Sequence, residues 1–122
     1  MLIIQRNSER VNKLNRIPIK PLSVNRAWKG KRFKTAEYNF YEQQLLLLLP
    51  RNFKVPAGNL EVEIEMGFSN SASDIDNPIK PFIDILQKAY EFNDKLIQQL
   101  KIKKRKVNKG EEYISFYIGK YV

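Results

Sequence analysis

The sequence contains no cysteine and no histidine in its 122 residues. Without cysteine the chain has no disulfide framework, no thiolate zinc site and no cysteine nucleophile, and without histidine it lacks the commonest general base and transition-metal ligand. Long apolar runs are also missing, since the longest, residues 45–49, is far too short to cross a bilayer. Any chemistry must therefore use carboxylates, lysine, hydroxyl groups or a hard metal ion.

The amino-terminal segment lacks the apolar region of a signal peptide, because residues 1–4 are followed at once by Gln5 and Arg6. We therefore expect a cytoplasmic protein without a membrane partner. A chain of 122 residues can bury the core of one ordinary domain. No linker-like stretch divides it, so we predict a single domain over residues 1–122, with residues 1–14 as an unassigned extension.

Acidic residues are scarce, with 13 Asp and Glu against 22 Lys and Arg, for a net charge of +9. This excess is typical of proteins that bind nucleic acid. The alternative is a protein that is basic without such a partner. The clustering of the cations favours a nucleic-acid partner.

The densest cluster lies in residues 25–34, where five cations and two aromatic residues surround Gly30. Cations bind phosphates, and exposed rings stack on unpaired bases or enter a distorted base step. Alternatively, Trp28 and Phe33 anchor the segment in the core and the cations are only solvated. We interpret the segment as a loop that contacts nucleic acid. The residues assigned to this contact are Asn25, Arg26, Trp28, Lys29, Lys31, Arg32 and Lys34.

Helical periodicity occurs in two segments. The first helix begins after Thr35, a suitable N-cap, and ends at Pro50. The five leucines at its end are apolar on every side, which indicates either burial in the core or a partner surface, such as a twofold dimer contact. The second helix is predicted to begin near Asn77, capped by Asp76 or Asn77, and to pack one apolar face on the sheet up to Tyr90.

Strict alternation of apolar residues and glutamates predicts a strand over Leu60–Phe68 with one buried face. Its glutamates could be metal ligands, but the cations of residues 101–105 are natural cross-strand partners for them. Further strands are predicted at residues 2–4, 16–22, 100–107 and 113–118, with a hairpin turn at 108–111. The order β-α-β-α-β-β predicts an α/β domain in which two helices pack on a mixed sheet.

All four aspartates lie between residues 74 and 94, whereas every other acidic residue is a glutamate. Asp74 and Asp76 precede the second helix, Asp94 follows it in a turn, and Lys80 and Asp84 share a helix edge with Asp76. Crowded carboxylates resist ionisation unless a cation is present, so we expect Mg²⁺ or Mn²⁺ among them. In the alternative, Asp76 caps the helix, Asp74 belongs to the turn and Asp84 pairs with Lys80.

A hard metal ion held by carboxylates within a basic protein points to metal-assisted hydrolysis of phosphodiester bonds. Lys80 would then stabilise the charge that develops on the phosphorane or on the leaving oxygen. A runner-up from another class is a basic nucleic-acid-binding protein without catalysis, in which the aspartates serve only as caps and turns. We expect no nucleotide cofactor in either case.

The sequence resembles the RusA family of Holliday-junction resolvases between about residues 17 and 118. The resemblance lies in residues 21–28 before the basic loop, in Asp74-Ile75-Asp76-Asn77 followed by Lys80 and Asp84, and in Asn93-Asp94. It implies a homodimeric, magnesium-dependent endonuclease that cuts paired strands of branched DNA at a four-way junction. It also implies that Asp74, Asp76 and Asp94 bind the metal and that Lys80 is catalytic.

Two further details complete the predicted site. We expect Asp84 and Asn77 to contact these residues rather than the metal itself. A nuclease that prefers flaps or replication forks stays an alternative, because the geometry of the substrate depends on the spacing of two sites in a dimer.

Overall fold

The computed structural model describes residues 16–23, 28–29, 33–70 and 72–122, with the backbone alone for Trp28, Lys29 and Phe33. The strand expected at residues 2–4 lies outside these ranges. In chain order the elements are β1 Arg16–Ile17, β2 Trp28–Lys29, β3 Phe33–Lys34, α1 Ala36–Leu48, β4 Leu60–Phe68, α2 Ile79–Tyr90, a 3₁₀ turn at Asp94–Leu96, β5 Ile97–Lys106 and β6 Tyr113–Lys120.

The main sheet has four strands in the order β1-β6-β4-β5. The central strand β4 runs parallel to β5 and antiparallel to β6, and β1 pairs antiparallel with β6 at the far edge. The connection between the parallel strands β4 and β5 includes α2, as a crossover between parallel strands requires. A separate antiparallel pair is formed by β2 and β3. The predicted α/β class, mixed sheet and element order are confirmed.

One hydrophobic core joins both helices to the sheet. The even-numbered residues of β4 and Ile114, Phe116 and Ile118 of β6 lie in it together with residues of α1 and α2, because successive side chains of a strand point to opposite faces. Phe82 and Phe116 meet edge to face in its centre, with ring centroids 5.7 Å apart. This core fixes α2 against β4 and β6, and thereby fixes the residues at both ends of α2.

The two helix starts differ in how they are capped. The Thr35 hydroxyl accepts a hydrogen bond from the Tyr38 amide at 3.0 Å, and α1 ends just before Pro50, both as predicted. In α2 the predicted cap is wrong: the N-cap is Pro78, and no described side chain caps the helix. Pro81 falls in the first turn, where a missing N–H costs no intrahelical bond. No helix in the described ranges is long and apolar enough to span a membrane.

Two predictions about the last strands are wrong. The strand predicted from residue 100 begins three residues earlier, at Ile97. The turn near Gly110 does not form a hairpin, because β4 lies between β5 and β6 in the sheet. The turn chemistry of Asn108 and Gly110 does reverse the chain, but the reversed strand pairs on the other side of β4.

The sheet face opposite the helices is polar. Glu63 pairs with Lys101 at 3.6 Å and Glu65 with Lys103 at 3.8 Å, which confirms the predicted cross-strand pairing. The prediction that only one face of this strand is buried is wrong at Glu65, which lies on the other face and is 4% exposed. The Tyr113 hydroxyl donates a hydrogen bond to the Glu65 carboxylate at 2.7 Å, which satisfies one oxygen of this buried group.

Candidate active site

A cleft of about 420 Å³ lies between the first half of α2 and the first residues of β5. The core holds the inner face of α2 against the sheet, so the next stripe of the helix faces this cleft. The described residues that line it are Asp76, Ile79, Lys80, Ile83, Asp94, Ile97, Gln98, Gln99 and Leu100. It therefore brings two of the aspartates predicted as metal ligands together with the predicted catalytic lysine.

Lys80 lies at the centre of the polar contacts beside the cleft. Its ammonium group donates a hydrogen bond to Asp84 at 2.8 Å, one helical turn later, and lies 3.8 Å from a carboxylate oxygen of Asp94. The hydrogen bond to Asp84 raises the pKa of Lys80 above its ordinary value, and the negative charges of Asp84 and Asp94 act in the same direction against a lowering by burial. Lys80 is therefore a cation at neutral pH.

Asp94 is positioned by local hydrogen bonds at the start of the 3₁₀ turn. Its backbone N–H donates to the Gln87 side chain at 2.9 Å, which ties the turn to the outer face of α2. The Asn93 side chain accepts from the Lys95 amide at 2.9 Å and caps the turn. These contacts explain how a residue after the helix folds back towards Asp76 and Lys80.

Asp74 and Asp76 take different positions in the loop before α2. Asp76 is exposed and lines the cleft, and its carbonyl accepts a hydrogen bond from the Ile79 amide at 3.1 Å. Asp74 is not among the described residues that line the cleft. One of its carboxylate oxygens accepts a hydrogen bond from the Asn77 amide group at 3.0 Å.

The structural alternative for the aspartates holds only in part. Asp84 does pair with Lys80, and Asp74 does belong to a hydrogen-bonded turn. Asp76, however, makes no cap bond to α2 within the described residues, so capping does not account for it. Across these residues no group of three or more acidic side chains is close enough to hold a metal ion. The metal-binding role of Asp74, Asp76 and Asp94 stays a prediction.

The predicted nucleic-acid loop is described only in part. Asn25, Arg26, Lys31 and Arg32 lie outside the described residues, and Trp28 and Lys29 are described as backbone in β2, paired with β3. Lys34 is the one member with a described side chain. Its ammonium group donates to Glu42 of α1 at 3.3 Å, which joins the β2–β3 pair to the helix.

Gln98 and Gln99 line the cleft but were not predicted as site residues. They belong to β5, whose first three residues lie before the strand that was predicted from residue 100. The signal for them is Ile97, an apolar residue that follows the turn directly and marks an earlier start of the strand.

Comparison with known proteins identifies one matching family. The family model for endodeoxyribonuclease RusA matches residues 18–116 of the 122-residue chain. A search among curated proteins gave no match. The matched range covers most of the described residues, from the loop after β1 to the middle of β6.

Proposed function

Because the chain belongs to the RusA family of endodeoxyribonucleases, we propose that it resolves four-way DNA junctions by metal-assisted hydrolysis of phosphodiester bonds. The observation that carries this proposal is the cleft in which Asp76, Lys80 and Asp94 lie together. Four-way junctions arise in recombination and repair, and these are the processes in which we expect it to act. The cytoplasmic location expected from the sequence stays a prediction.

The donor chemistry of the site fits a hard divalent cation. Asp76 and Asp94 both line the cleft, and Asp74 lies two residues before Asp76 in the same loop. Mg²⁺ keeps several of its waters and is bound by a few protein carboxylates together with substrate phosphate, and Mn²⁺ shares this preference for oxygen ligands. When bound, the ion would polarise the phosphoryl oxygen and lower the pKa of a bound water. We assign its binding to Asp74, Asp76 and Asp94.

Lys80 acts as a positive charge rather than as a base. Its pKa is raised by the hydrogen bond to Asp84 and by the charges of Asp84 and Asp94, so it holds its proton at neutral pH. A protonated ammonium cannot accept a proton from the attacking water, but it stabilises the negative charge that develops on a phosphoryl oxygen. Asp84 is the positioning residue for Lys80, and Asn77 is the positioning residue for Asp74.

A second copy of the chain is the partner that we propose for cutting paired strands, because two cuts related by a twofold axis need two sites. The exposed side of α1 is the surface that fits this role. Phe40 and Leu47 are 64% and 67% exposed and lie seven residues apart, on one side of the helix. The helix carries no Lys or Arg in a chain of net charge +9, so two copies meet there without repulsion between cations.

The test is strand cleavage of an end-labelled synthetic four-way junction with Mg²⁺ and with EDTA. We expect wild-type cleavage to require the metal. Asp76→Asn and Asp94→Asn should each lower the cleavage rate more than about 100-fold, the upper range for residues that only support a metal ligand. Binding of the junction should persist, since neutralising an acid does not remove a phosphate contact.

The matched control is Glu91→Gln, which neutralises an exposed acid at the other end of α2. It should cleave like the wild type. If Asp76→Asn cleaves at the wild-type rate, the assignment of the cleft is wrong. Cleavage with EDTA at the wild-type rate would overturn the metal-assisted mechanism.

The same experiment separates the two alternatives. A non-catalytic nucleic-acid-binding protein would bind the junction equally well with and without Mg²⁺ and would leave it intact. A nuclease for flaps or replication forks would cut those substrates faster than the junction. Junctions, flaps and linear duplex of matched length should therefore be compared in one assay.

A further inference from the structure

The edge strand β5 is divided into two halves of different chemistry. Residues 97–100 carry no charge and line the cleft with Lys80 and Asp94. Residues 101–106 contain five cations in six positions. The strand lies at the edge of the described sheet, beside β4 alone, so the basic half is open to a partner along its length.

The basic half of β5 extends beyond the glutamates of β4 that pair with its first lysines. Lys101 and Lys103 face Glu63 and Glu65 and form ion pairs with them. Arg105 and Lys106 instead lie opposite Gly67 and Phe68, which carry no charge. Both are exposed, and within the described part of the chain neither forms an ion pair. Their positive charge is therefore not balanced by the sheet.

This unbalanced charge lies next to the loop that carries the candidate catalytic acids. Lys104, the preceding residue of β5, donates a hydrogen bond to the carbonyl of Ser73, which directly precedes Asp74. Lys109 is exposed in the turn that follows β5 and adds a further cation at the same end of the strand. The basic end of β5 thus lies beside the Asp74 loop, with Lys106 on the same face of the strand as Lys104 and Arg105 on the opposite face.

We propose that Arg105, Lys106 and Lys109 bind backbone phosphates of a DNA arm that extends from the cleft along the open edge of β5, which side chains from both faces of the strand can reach. This rests on the proposed function, because the cleft supplies the position of the cut. At about 3.3 Å per residue, the six steps from Leu100 to Lys106 span roughly 20 Å, which corresponds to about six base pairs of duplex. This proposed surface does not include residues 25–34, the segment predicted from the sequence to contact nucleic acid.

The experiment measures binding of a fluorescent four-way junction in EDTA at several KCl concentrations. Two double variants are compared, Arg105→Gln with Lys106→Gln, and Arg51→Gln with Lys54→Gln. Arg51 and Lys54 are an exposed Arg–Lys pair beside the carboxyl end of α2, so both variants lose one arginine and one lysine. All four residues are exposed, and we expect both variants to fold.

We expect the β5 variant to bind the junction at least tenfold more weakly at 150 mM KCl. The slope of log affinity against log salt should fall by about 2, close to 0.9 for each phosphate that the variant no longer neutralises. The control variant should keep the wild-type slope. A neutral methylphosphonate moved along one arm, up to about six base pairs from the cut, should weaken wild-type binding at the contacted positions and leave the β5 variant unaffected.

The outcomes separate this inference from the proposed function. If the wild type binds and cuts the junction but the β5 variant keeps the slope and affinity of the control, this inference alone is overturned, and the basic end of β5 is only solvated. If the wild type binds no DNA, both fail together. A lower slope in an enzyme that does not cut would support the surface and contradict the cleavage mechanism.

Discussion

At the scale of single residues, Lys80 is distinguished by its contacts. Among the residues that the structure describes, it is the one lysine that lies within 4 Å of two aspartates, Asp84 and Asp94. A lysine placed for solubility alone would gain little from two acids on its own protein, since exposed ion pairs contribute at most about 1 kcal/mol. Its position beside the cleft agrees with a role in charge stabilisation.

We predict that Lys80→Ala lowers the single-turnover cleavage rate about 10²- to 10³-fold, the usual cost of removing one group that stabilises transition-state charge. Junction affinity should change only a few-fold. Asp84→Asn should lower the rate less, by about tenfold, because Lys80 remains but is no longer held at 2.8 Å. Single-turnover rates and binding constants measured on the same junction check both statements.

Lys95→Ala is the control, since Lys95 is an exposed lysine one residue after Asp94. It should cut like the wild type. The raised pKa of Lys80 also predicts that the wild-type rate shows no titration of Lys80 between pH 7 and pH 9. A Lys80→Ala variant whose rate falls only in proportion to its affinity would reduce Lys80 to a binding residue.

The stripe that contains Lys80 and Asp84 could be predicted from the sequence because positions four apart on a helix always share an edge. The burial of Glu65 could not. Its alternation with apolar neighbours is the same as that of Glu63, but Tyr113 from β6 donates to it and Arg16 from β1 lies over the Tyr113 ring. These contacts come from strands far apart in the chain, and no local pattern reports them.

At the scale of elements, Glu42 connects three parts of the structure. It lies on the buried side of α1 and accepts hydrogen bonds from Lys88 of α2 and Lys34 of β3. Burial raises the pKa of Glu42, but the hydrogen bonds from Lys88 and Lys34 and the charges of these lysines outweigh it, so the net pKa lies below the ordinary value of 4.5. The ionised carboxylate is therefore the form that stabilises the packing of α1 on α2.

We predict that Glu42→Gln lowers the free energy of unfolding at pH 7 by about 1–2 kcal/mol, the range for hydrogen bonds to a charged group when the partners are partly exposed. Because the folded pKa is depressed, the wild type has this stability above pH 4.5 and loses it as the pH falls further. The difference between variant and wild type should therefore shrink from pH 7 to pH 3 in urea unfolding. The control is Glu111→Gln, in an exposed turn, which should have the same free energy of unfolding as the wild type at pH 7. If the loss of stability in Glu42→Gln stayed constant with pH, the role assigned to the ionised Glu42 carboxylate would be contradicted.

Elements with a strong internal pattern were predicted well, whereas the pairing of the last two strands in the sheet was not. The bounds of β4 follow from strict alternation, and the start of α1 follows from Thr35 and its cap. The pairing of β6 with β4 rather than β5 depends on which strand occupies the centre of the sheet. A turn sequence such as residues 108–111 reports where the chain reverses but carries no information on the strand that it will meet.

At the scale of the whole molecule, the distribution of surface chemistry divides the protein into regions. The cleft carries Asp76 and Asp94, the end of β5 carries unbalanced cations, and the exposed side of α1 carries large apolar residues and no Lys or Arg. From the sequence alone, the leucines at the end of α1 could lie either in the core or on a partner surface. The structure buries Leu45 and Leu49, which confirms core burial for these two, and leaves residues 46–48 exposed. For residues 46–48 a partner surface stays a prediction.

We predict that Leu47→Glu converts a dimer into a monomer, because it places a charge in the apolar side of α1 while leaving the core intact, since Leu47 is 67% exposed. Light scattering after size exclusion should give the mass of two 14.4 kDa chains for the wild type and of one for the variant. Tyr121→Glu, a change of the same charge at another exposed apolar position, should leave the dimer intact. The monomer should still nick a junction at high concentration, because one chain supplies Asp76, Lys80 and Asp94 of the cleft, but it should lose the coupling of the two cuts. A Leu47→Glu variant that stays dimeric would move the interface away from α1.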